Sequence, residues 1–461
     1  MNRLGYFVLS LLIISACSSQ RNLYDVVDYG AKGDSLTINT SAIQQAIDVC
    51  HKNGGGTVLI ANGIFISGTI ILKDNVHLEI DKSAKLLGSP NKLDYQSIDT
   101  FVDATGQERG NCLIGAKGAK NIKISGGGII DGNGESFLKK NLQLTANKLN
   151  INTEKHQSFF SNRPFLLRFV NASHIKLHDI HLRQSAAWAC HFYQSNDIEV
   201  ESITIYNHAH ANNDGIDLDS SYDVRISNTL IDSGDDALCI KSTSPLPTYN
   251  INIRNCKLKS DWGALKLGTE SMGDFHHINI KDCEVYETRG GGIKILSVDG
   301  ANIHDVFMEN ITMNTVDMPI FIRLGERLRT YRDAKKQAVG SIKNVHLKNI
   351  KATTQELENS RISAPSGIFI TGTPNHKIES IHLENIQISL SGSKMDHVSG
   401  SVEELETAYP EYVKFGILPA YGLYARHVDS LHVANIEFKT PADKRADLLL
   451  DDVSYQTIAS K

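Results

Sequence analysis

Acidic residues are concentrated in two short stretches near the middle of this 461-residue sequence. Residues 212–217 read Asn-Asn-Asp-Gly-Ile-Asp, and residues 234–236 read Gly-Asp-Asp. Carboxylates that lie close together raise at least one of their pKa values, which gives the protonated acid and the ionised base needed to hydrolyse a glycosidic bond. An isolated Asp-Asp pair is more typical of turns, so a catalytic role for Asp214, Asp235 and Asp236 depends on a fold that brings the stretches together.

A sequence repeat indicates how these residues are positioned. Alternating apolar residues, then Asn or Asp, then another apolar residue recur from the middle of the chain to near its end. The copies end at Ile180, Ile203, Thr229, Cys256, Cys283, Ile311, Ile350, Ile386 and Ile436. Successive copies are spaced by 23, 26, 27, 27, 28, 39, 36 and 50 residues, which indicates a repeated coil with loops inserted late.

The repeat predicts an all-β fold. Each copy holds short period-2 strands separated by Gly, Asn and Asp turns, and the shorter copies leave no room for a crossover helix. Such strands must pair with the same strand of the next copy, which predicts one right-handed parallel β-helix domain over residues 24–455. A β-sandwich or propeller is the less favoured alternative. The amphipathic segment 40–51 predicts a short capping helix at the N-terminal end. One corner is expected to stack Asn310, Asn349, Asn385 and Asn435.

This fold predicts that the two acidic stretches meet. Asp214 and Asp235 are 21 residues apart, which is one turn of the coil. They are therefore expected to lie side by side on neighbouring strands, about 4.8 Å apart, with Asp236 close by. Clustering on one face of a solenoid favours catalysis over ordinary turn chemistry.

Several motifs resemble those of glycoside hydrolase family 28, the polygalacturonase family of inverting pectinases. The resemblance begins with the acidic stretches and Lys241, and it spans about residues 25 to 455. Other matching segments are 28–34, 39–43, 54–58, 163–167 and Trp188, and segments 409–412 and 418–423 resemble a bacterial branch of the family.

The resemblance implies a pectin-lyase-like β-helix that hydrolyses a galacturonate-containing polysaccharide or oligosaccharide of plant origin without a cofactor or metal. Carried over by position, the general acid falls on Asp235, and the residues that activate water fall on Asp214 and Asp236. Inversion places the acid and base carboxyl groups roughly 6.5–9.5 Å apart.

Two positions depart from the family pattern. Gly263 stands where the family has a histidine, and Gly292 stands where it has an arginine, while Lys294 remains. The resemblance implies that the two absent side chains help to hold galacturonate. Plain polygalacturonan is therefore expected to be a poor substrate, and a branched or mixed pectic glycan a better one.

Residues near the acidic stretches are candidates for substrate binding. If the neighbouring Leu and Ile residues face the interior, four cations face outward and form a basic ladder that binds an anionic glycan. The alternative, given equal weight, is that these cations are ordinary solvated residues on an exposed strand face. Glu270 is a candidate acceptor from a sugar hydroxyl, and Asn212 and His210 are candidates by proximity. Insertions at 325–340 and 392–425 are expected to wall the site. The ladder comprises Lys241, Lys266, Lys294 and Arg323.

Other functions remain open at this point. A polysaccharide lyase or epimerase on the same fold would use Lys266 or Lys294 as the base, often with Ca²⁺. A non-catalytic glycan-binding lipoprotein is the third possibility. A net charge of −5 without a Lys/Arg-rich tract excludes a typical nucleic-acid-binding protein. A monomer is expected.

The N-terminus predicts export. A basic start, an apolar run at 7–14 and small residues before Cys17 resemble a bacterial lipoprotein signal covering residues 1–17. Cleavage would leave Cys17 as the acylated residue of an outer-membrane lipoprotein on the periplasmic or cell-surface face; a plain secretory peptide is the alternative. Of the remaining six cysteines, Cys256 and Cys283 occupy equivalent places in the repeat and are predicted to be buried free thiols.

Overall fold

The computed structural model describes residues 22–152, 160–393 and 401–459. Cys17 and the predicted signal lie outside the described residues. Nearly all pairings between the 33 strands are parallel and join each strand to its equivalent in the next coil. The prediction of a right-handed parallel β-helix is confirmed.

The strands form three parallel stacks that run the length of the solenoid. The first stack contains β1 (Leu23–Asp25), β3 (Gly56–Ile60), β6 (Val76–Ile80), β10 (Lys120–Ser125), β13 (Ser173–His178), β16 (Asn196–Glu201), β19 (Tyr222–Ser227), β22 (Thr248–Arg254), β25 (Phe275–Thr288), β27 (Asn302–Val316), β29 (Ser341–Thr354) and β31 (Ile378–Ser389). The second contains β2 (Asp34–Ile38), β4 (Gly63–Ser67), β7 (Ala84–Gly88), β11 (Ile129–Asp131), β14 (His181–Arg183), β17 (Thr204–Asn207), β20 (Leu230–Ser233) and β23 (Lys257–Ser260), and then continues into β25.

The third stack positions the acidic residues. It contains β5 (Ile70–Ile71), β9 (Glu108–Lys117), β12 (Phe165–Val170), β15 (Cys190–Tyr193), β18 (Ile216–Asp219), β21 (Leu238–Ser242), β24 (Leu265–Ser271), β26 (Ile293–Ser297), β28 (Ile320–Leu324) and β30 (Ile368–Thr371). The long strands β32 (Ala420–Lys439) and β33 (Ala446–Ala459) end the solenoid. Strand β8 (Gln96–Val102) differs, because it pairs antiparallel with β9 as a hairpin.

The interior is filled by columns of aliphatic side chains, one from each coil. In the first stack one column is fully buried and its members are direct register partners from coil to coil. The column comprises Ile175, Ile198, Val224, Ile251, Ile278, Val306, Val345, Ile381 and Leu431. Period-2 alternation therefore sends the intervening polar residues to the outer face.

Two helices accompany the strands. Helix α1 (Thr40–Lys52) buries Ile43, Ala46, Ile47 and Cys50 against the first strands, a spacing that places all four on one helical face. The predicted capping helix is confirmed. Helix α2 (Lys139–Lys148) was not predicted. Within the described part of the chain, no helix is long and apolar enough to cross a bilayer.

The predicted asparagine stack is present at one corner. Asn349 donates to Asn310 Oδ1 at 3.0 Å, Asn385 donates to Asn349 Oδ1 at 3.0 Å, and Asn435 donates to Asn385 Oδ1 at 2.7 Å. All four have φ between 54° and 58°, the left-handed conformation that asparagine tolerates better than most residues. The six described cysteines, which include Cys256 and Cys283, are buried free thiols, as predicted.

Candidate active site

The register of the third stack sets the position of each acidic residue. Gly215 N donates to Asp236 O at 2.9 Å, and Ile216 pairs with Leu238. Asp214 therefore lies opposite Asp236, one residue beyond the partner expected from the 21-residue spacing. The expectation that Asp235 is the direct neighbour of Asp214 is wrong by one position, because this coil is 22 residues long.

The three carboxylates nevertheless converge. One oxygen from each of Asp214, Asp235 and Asp236 lies within 4.8 Å of the others. This is closer than the roughly 6.5–9.5 Å expected for an inverting pair. Two ordinary hydrogen bonds of about 2.8 Å span up to about 5.6 Å, so a water molecule can still bridge two of these oxygens.

The environment drives the protonation states apart. Burial, with the neighbouring Asp214 and Asp236, raises the pKa of Asp235 well above its ordinary value. Burial acts in the same direction on Asp236, but Lys266, Lys294 and Lys241 outweigh it and hold the pKa of Asp236 below its ordinary value. Burial raises the pKa of Asp214, opposed by Lys241. These shifts favour the protonated form of Asp235 and the ionised form of Asp236.

Two lysines hold the carboxylates. Lys266 Nζ donates to Asp236 Oδ2 at 2.5 Å. Lys241 Nζ lies 3.1 Å from Asp214 Oδ2, 2.9 Å from Asp217 Oδ1 and 3.9 Å from Glu270 Oε2. These ammonium groups neutralise much of the charge of the three carboxylates. Among the described residues, Asp214, Asp235 and Asp236 form the group whose geometry could hold a cation.

The predicted basic ladder does not form. Lys266 pairs with Lys294 in register, but Lys241 pairs with Asp219 and Arg323 pairs with Leu296. All four cations are buried by the side chains and loops around them, so neither a substrate ladder nor a solvated face describes them. Lys294 is bound by Glu411, and Arg323 donates to backbone carbonyls that include Gly372 O at 2.7 Å.

A cavity of about 260 Å³ opens above the carboxylates and is called the acidic pocket below. Of the predicted binding residues, Lys241, Lys266, Glu270 and Asn212 line it, whereas Lys294, Arg323 and His210 do not. The acidic pocket is lined by Asp103, Ala104, Thr105, Trp188, Asn212, Asp214, Asp235, Asp236, Lys241, Trp262, Lys266, Glu270 and Tyr409.

His210 has a different position from the one predicted. Its Nδ1 accepts from Arg163 Nη1 at 2.6 Å, and its Nε2 contacts Phe137 O at 3.3 Å. Burial and Arg163 lower the pKa of His210 to about 4, so the ring is neutral near pH 7. Arg163 in turn donates to Asn212 Oδ1 at 3.0 Å. His210 therefore orients Arg163, which lies behind the acidic pocket, and does not itself line the pocket.

One wall of the acidic pocket comes from the tip of the β8–β9 hairpin, which the sequence reasoning missed. Ala104 N donates to Glu270 Oε1 at 3.3 Å, and Ala104 O accepts from Arg329. Asp99 of the hairpin pairs with Arg332 at 2.6 Å. Both arginines belong to the 325–340 insertion, so this insertion holds the hairpin in place.

Two further acidic residues were also missed. Asp217 is fully buried beside Lys241, and burial raises its pKa well above the ordinary value. Its place in the 212–217 motif was the available signal. Glu411 accepts a hydrogen bond from Trp262 Nε1. No pattern in the sequence marked Glu411 as part of the site, because its segment 409–412 was noted only for its resemblance to a motif.

The two glycine departures have structural reasons. Gly263 N donates to Asp236 Oδ1 at 3.0 Å, and a Cβ at position 263 would lie 2.8 Å from that oxygen. A Cβ at Gly292 would lie 2.5 Å from Met313 Sδ in the core. Neither position accepts a side chain without moving its neighbours.

Comparisons with known proteins assign the chain to a family. The family model described as glycosyl hydrolases family 28 matches residues 32–406. An exo-poly-alpha-D-galacturonosidase of Dickeya chrysanthemi is 31% identical over 251 residues, covering 46% of this chain and 41% of that protein. A polygalacturonase of Gossypium barbadense is 26% identical over 398 residues, covering 84% of this chain and 89% of that protein.

The solved structure of a family 28 exopolygalacturonase from Yersinia enterocolitica has the same fold, with a TM-score of 0.72 and 20% identity. The match covers 95% of this chain and 78% of that one. A Thermotoga maritima exopolygalacturonase gives a TM-score of 0.67 at 21% identity and covers 91% and 92% of the two chains. The chain spans under half the length of the first two curated relatives it matches.

Proposed function

Because the chain belongs to glycosyl hydrolase family 28, we propose that it is an inverting O-glycosyl hydrolase that cleaves a pectin-type glycan containing galacturonate. The observation that carries this proposal is the convergence of Asp214, Asp235 and Asp236 with opposed pKa shifts. A protonated carboxyl group and an ionised one beside it are the two groups that glycoside hydrolysis needs.

The proposed reaction uses these residues in one displacement. Asp235 gives its proton to the glycosidic oxygen as the bond from that oxygen to the anomeric carbon breaks. Asp236, with Asp214, takes a proton from a water molecule whose oxygen attacks the anomeric carbon from the opposite face. The bonding electrons leave with the protonated oxygen, and the new hydroxyl has the inverted configuration.

The two alternative functions receive less support. A lyase or epimerase needs a lysine that can take a proton, which requires a lowered pKa and access to substrate. The pKa of Lys266 is raised well above its ordinary value, because Asp236 outweighs the effect of burial. Lys294 lies outside the acidic pocket and is bound by Glu411. A pure binding protein would have no need for the opposed protonation states of Asp235 and Asp236.

We also propose that the enzyme acts at a chain end. The β8–β9 hairpin tip stands at one side of the acidic pocket, and Trp262 and Tyr409 line it as well. A volume of about 260 Å³ suits one sugar ring better than a continuous chain. At least four relatives, the Dickeya chrysanthemi protein among them, carry exo-acting names, which supports the same mode of cleavage.

One experiment tests the reaction. The protein is incubated in ¹⁸O-water with pectic, rhamnogalacturonan and sulfated algal polysaccharides, and the products are read by mass spectrometry and proton NMR. We expect one ¹⁸O per cleavage in an inverted anomer, with short products while viscosity is retained. An unsaturated product would overturn hydrolysis in favour of a lyase, and no product would favour the binding protein.

The predicted location remains a proposal. We propose that the protein is exported and anchored in the outer membrane through lipid on Cys17, supported by the basic start, apolar run and small residues before that cysteine. Labelled palmitate should be incorporated into the parent and not into Cys17→Ser, which should leave the membrane fraction. Sedimentation of the soluble domain should give a monomer.

A further inference from the structure

Glu411 occupies a site built for a carboxylate. Lys294 Nζ donates to both Glu411 oxygens at 2.7 Å, and Trp262 Nε1 donates to Oε1 at 3.1 Å. Both side chains are buried, and they lie 117 residues apart in the chain. An ammonium and an indole N–H around one carboxylate are the contacts that would hold an acidic sugar. Here the protein supplies the acid itself.

Lys294 is close to the reacting carboxylates. A Cβ atom added at Gly263 would lie 2.8 Å from Asp236 Oδ1 and 3.2 Å from Lys294 Cδ. The stem of Lys294 therefore packs behind the wall of the acidic pocket, at the place where the family pattern has a histidine. Its charge acts on Asp236, which lines the acidic pocket.

The acidic pocket has an excess of negative charge. Its lining carries five carboxyl groups and two ammonium groups, those of Lys241 and Lys266. One carboxylate, Asp103, is balanced by the fully buried Arg109 at 2.7 Å. Apart from Asp103 and Asp235, three carboxyl groups, those of Asp214, Asp236 and Glu270, face two lysines, and each lysine is already within 4.0 Å of a carboxylate. A further carboxylate on the substrate would meet repulsion, and neither lysine of the lining is without a carboxylate partner.

We propose that the acidic pocket selects a sugar ring that is uncharged at C6, and that Glu411 determines this specificity by neutralising Lys294. This inference rests on the proposed hydrolase function and names the ring that it acts on. Galacturonate of the same glycan then lies beyond the scissile bond. Glu270, which lines the acidic pocket, is placed to accept a hydrogen bond from a hydroxyl group of the neutral ring.

The test uses substrates that differ at one carbon. Pectic oligosaccharides that end in a neutral hexose are compared with the same oligosaccharides after oxidation of C6 to a carboxylate, together with oligogalacturonides. We expect kcat/KM to be at least tenfold higher for the neutral end. Equal or faster cleavage of either acidic substrate would overturn the proposed specificity but would leave the proposed hydrolase function intact. Failure to cleave any of the three would instead overturn the proposed hydrolase function.

Three variants separate charge from packing. Glu411→Gln leaves the charge of Lys294 uncompensated and should reduce the preference for the neutral end at least fivefold. The double variant Glu411→Gln with Lys294→Met has no net charge at this place and should keep the parental preference. Glu403→Gln makes the same charge change at an exposed residue of the same loop, away from the acidic pocket, and should have no effect. An unchanged preference in a folded Glu411→Gln would contradict the role of Glu411, as would the same loss in the double variant.

Discussion

Lys266 donates a hydrogen bond from Nζ to Asp236 Oδ2 at 2.5 Å, and both side chains are buried. Among the cations around Asp236, Lys266 lowers its pKa the most. Lys266, which was predicted to contact the substrate, therefore pairs with the carboxylate that we propose as the base. This pairing is the basis of the pH prediction below.

Asp235→Asn is expected to lower kcat by about 10²–10⁴-fold, because an amide cannot supply the proton for the leaving oxygen. Folding should survive, since the side chain is partly exposed and the two residues have nearly equal volume. Initial rates on the best substrate of the panel, with a thermal unfolding scan as control, measure the effect. Activity within tenfold of the parent would remove Asp235 from its role as acid.

The dependence of kcat on pH should be bell-shaped. Activity falls as the pH drops through the lowered pKa of Asp236, because the base becomes protonated, and falls as the pH rises through the raised pKa of Asp235, because the acid is lost. In Lys266→Met the acidic limb should move to higher pH, since the main cation that favours ionised Asp236 is gone. A mutant profile with an unmoved acidic limb would contradict this assignment.

Lys294→Met is expected to destabilise the fold by about 3–5 kcal/mol, because it leaves Glu411 as a buried charge without its partner. A solvent-facing lysine, as the sequence pattern suggested, would contribute little. Urea unfolding measures the change. The control is Lys257→Met, whose pair with Glu284 is half exposed and should cost under about 1 kcal/mol. Equal, small losses in both variants would mean that Lys294 contributes no more than a surface cation.

Asn349→Ala should destabilise the solenoid by about 2–3 kcal/mol. It removes two side-chain hydrogen bonds within the asparagine stack and places alanine at φ 55°. Asn349→Gly loses the same bonds but tolerates this conformation, so it should be about 1 kcal/mol more stable than the alanine variant. Chemical denaturation of both variants gives the comparison. A glycine variant less stable than the alanine variant would show that the backbone conformation does not matter here.

Local periodicity predicted the parts of the molecule that depend on neighbouring residues. The aliphatic columns, the asparagine corner and helix α1 all follow from spacing within one coil. Register was harder, because β24 has two additional residues between its pairings with Ile240 and Ser242, which a period count does not reveal. Lys241 and Lys266 are not stacked for a simpler reason: before the irregularity this coil pairs residues 27 apart, such as Cys239 with Lys266, and the two lysines are 25 apart.

Contacts made by the inserted loops could not be predicted from spacing. Glu411 and Lys294 are 117 positions apart, and Asp99 and Arg332 are 233 apart. Each pair forms only because a loop folds back over several coils. The acidic residues were found because they lie in the short turns that lead into β18 and β21. The hairpin tip and Glu411 instead lie on loops whose path the repeat does not specify.

The number of coils in the solenoid sets the distance between Glu411 and Lys294 along its axis. Glu411 directly precedes the segment leading into β32, which is three strand steps along the third stack from β26 and its Lys294. At about 4.8 Å per step, the loop must reach back about 14 Å. Gain or loss of a single coil in this interval would move Glu411 by a full step and part it from Lys294. The number of coils between β26 and β32, and not only their sequence, therefore determines whether these two side chains meet.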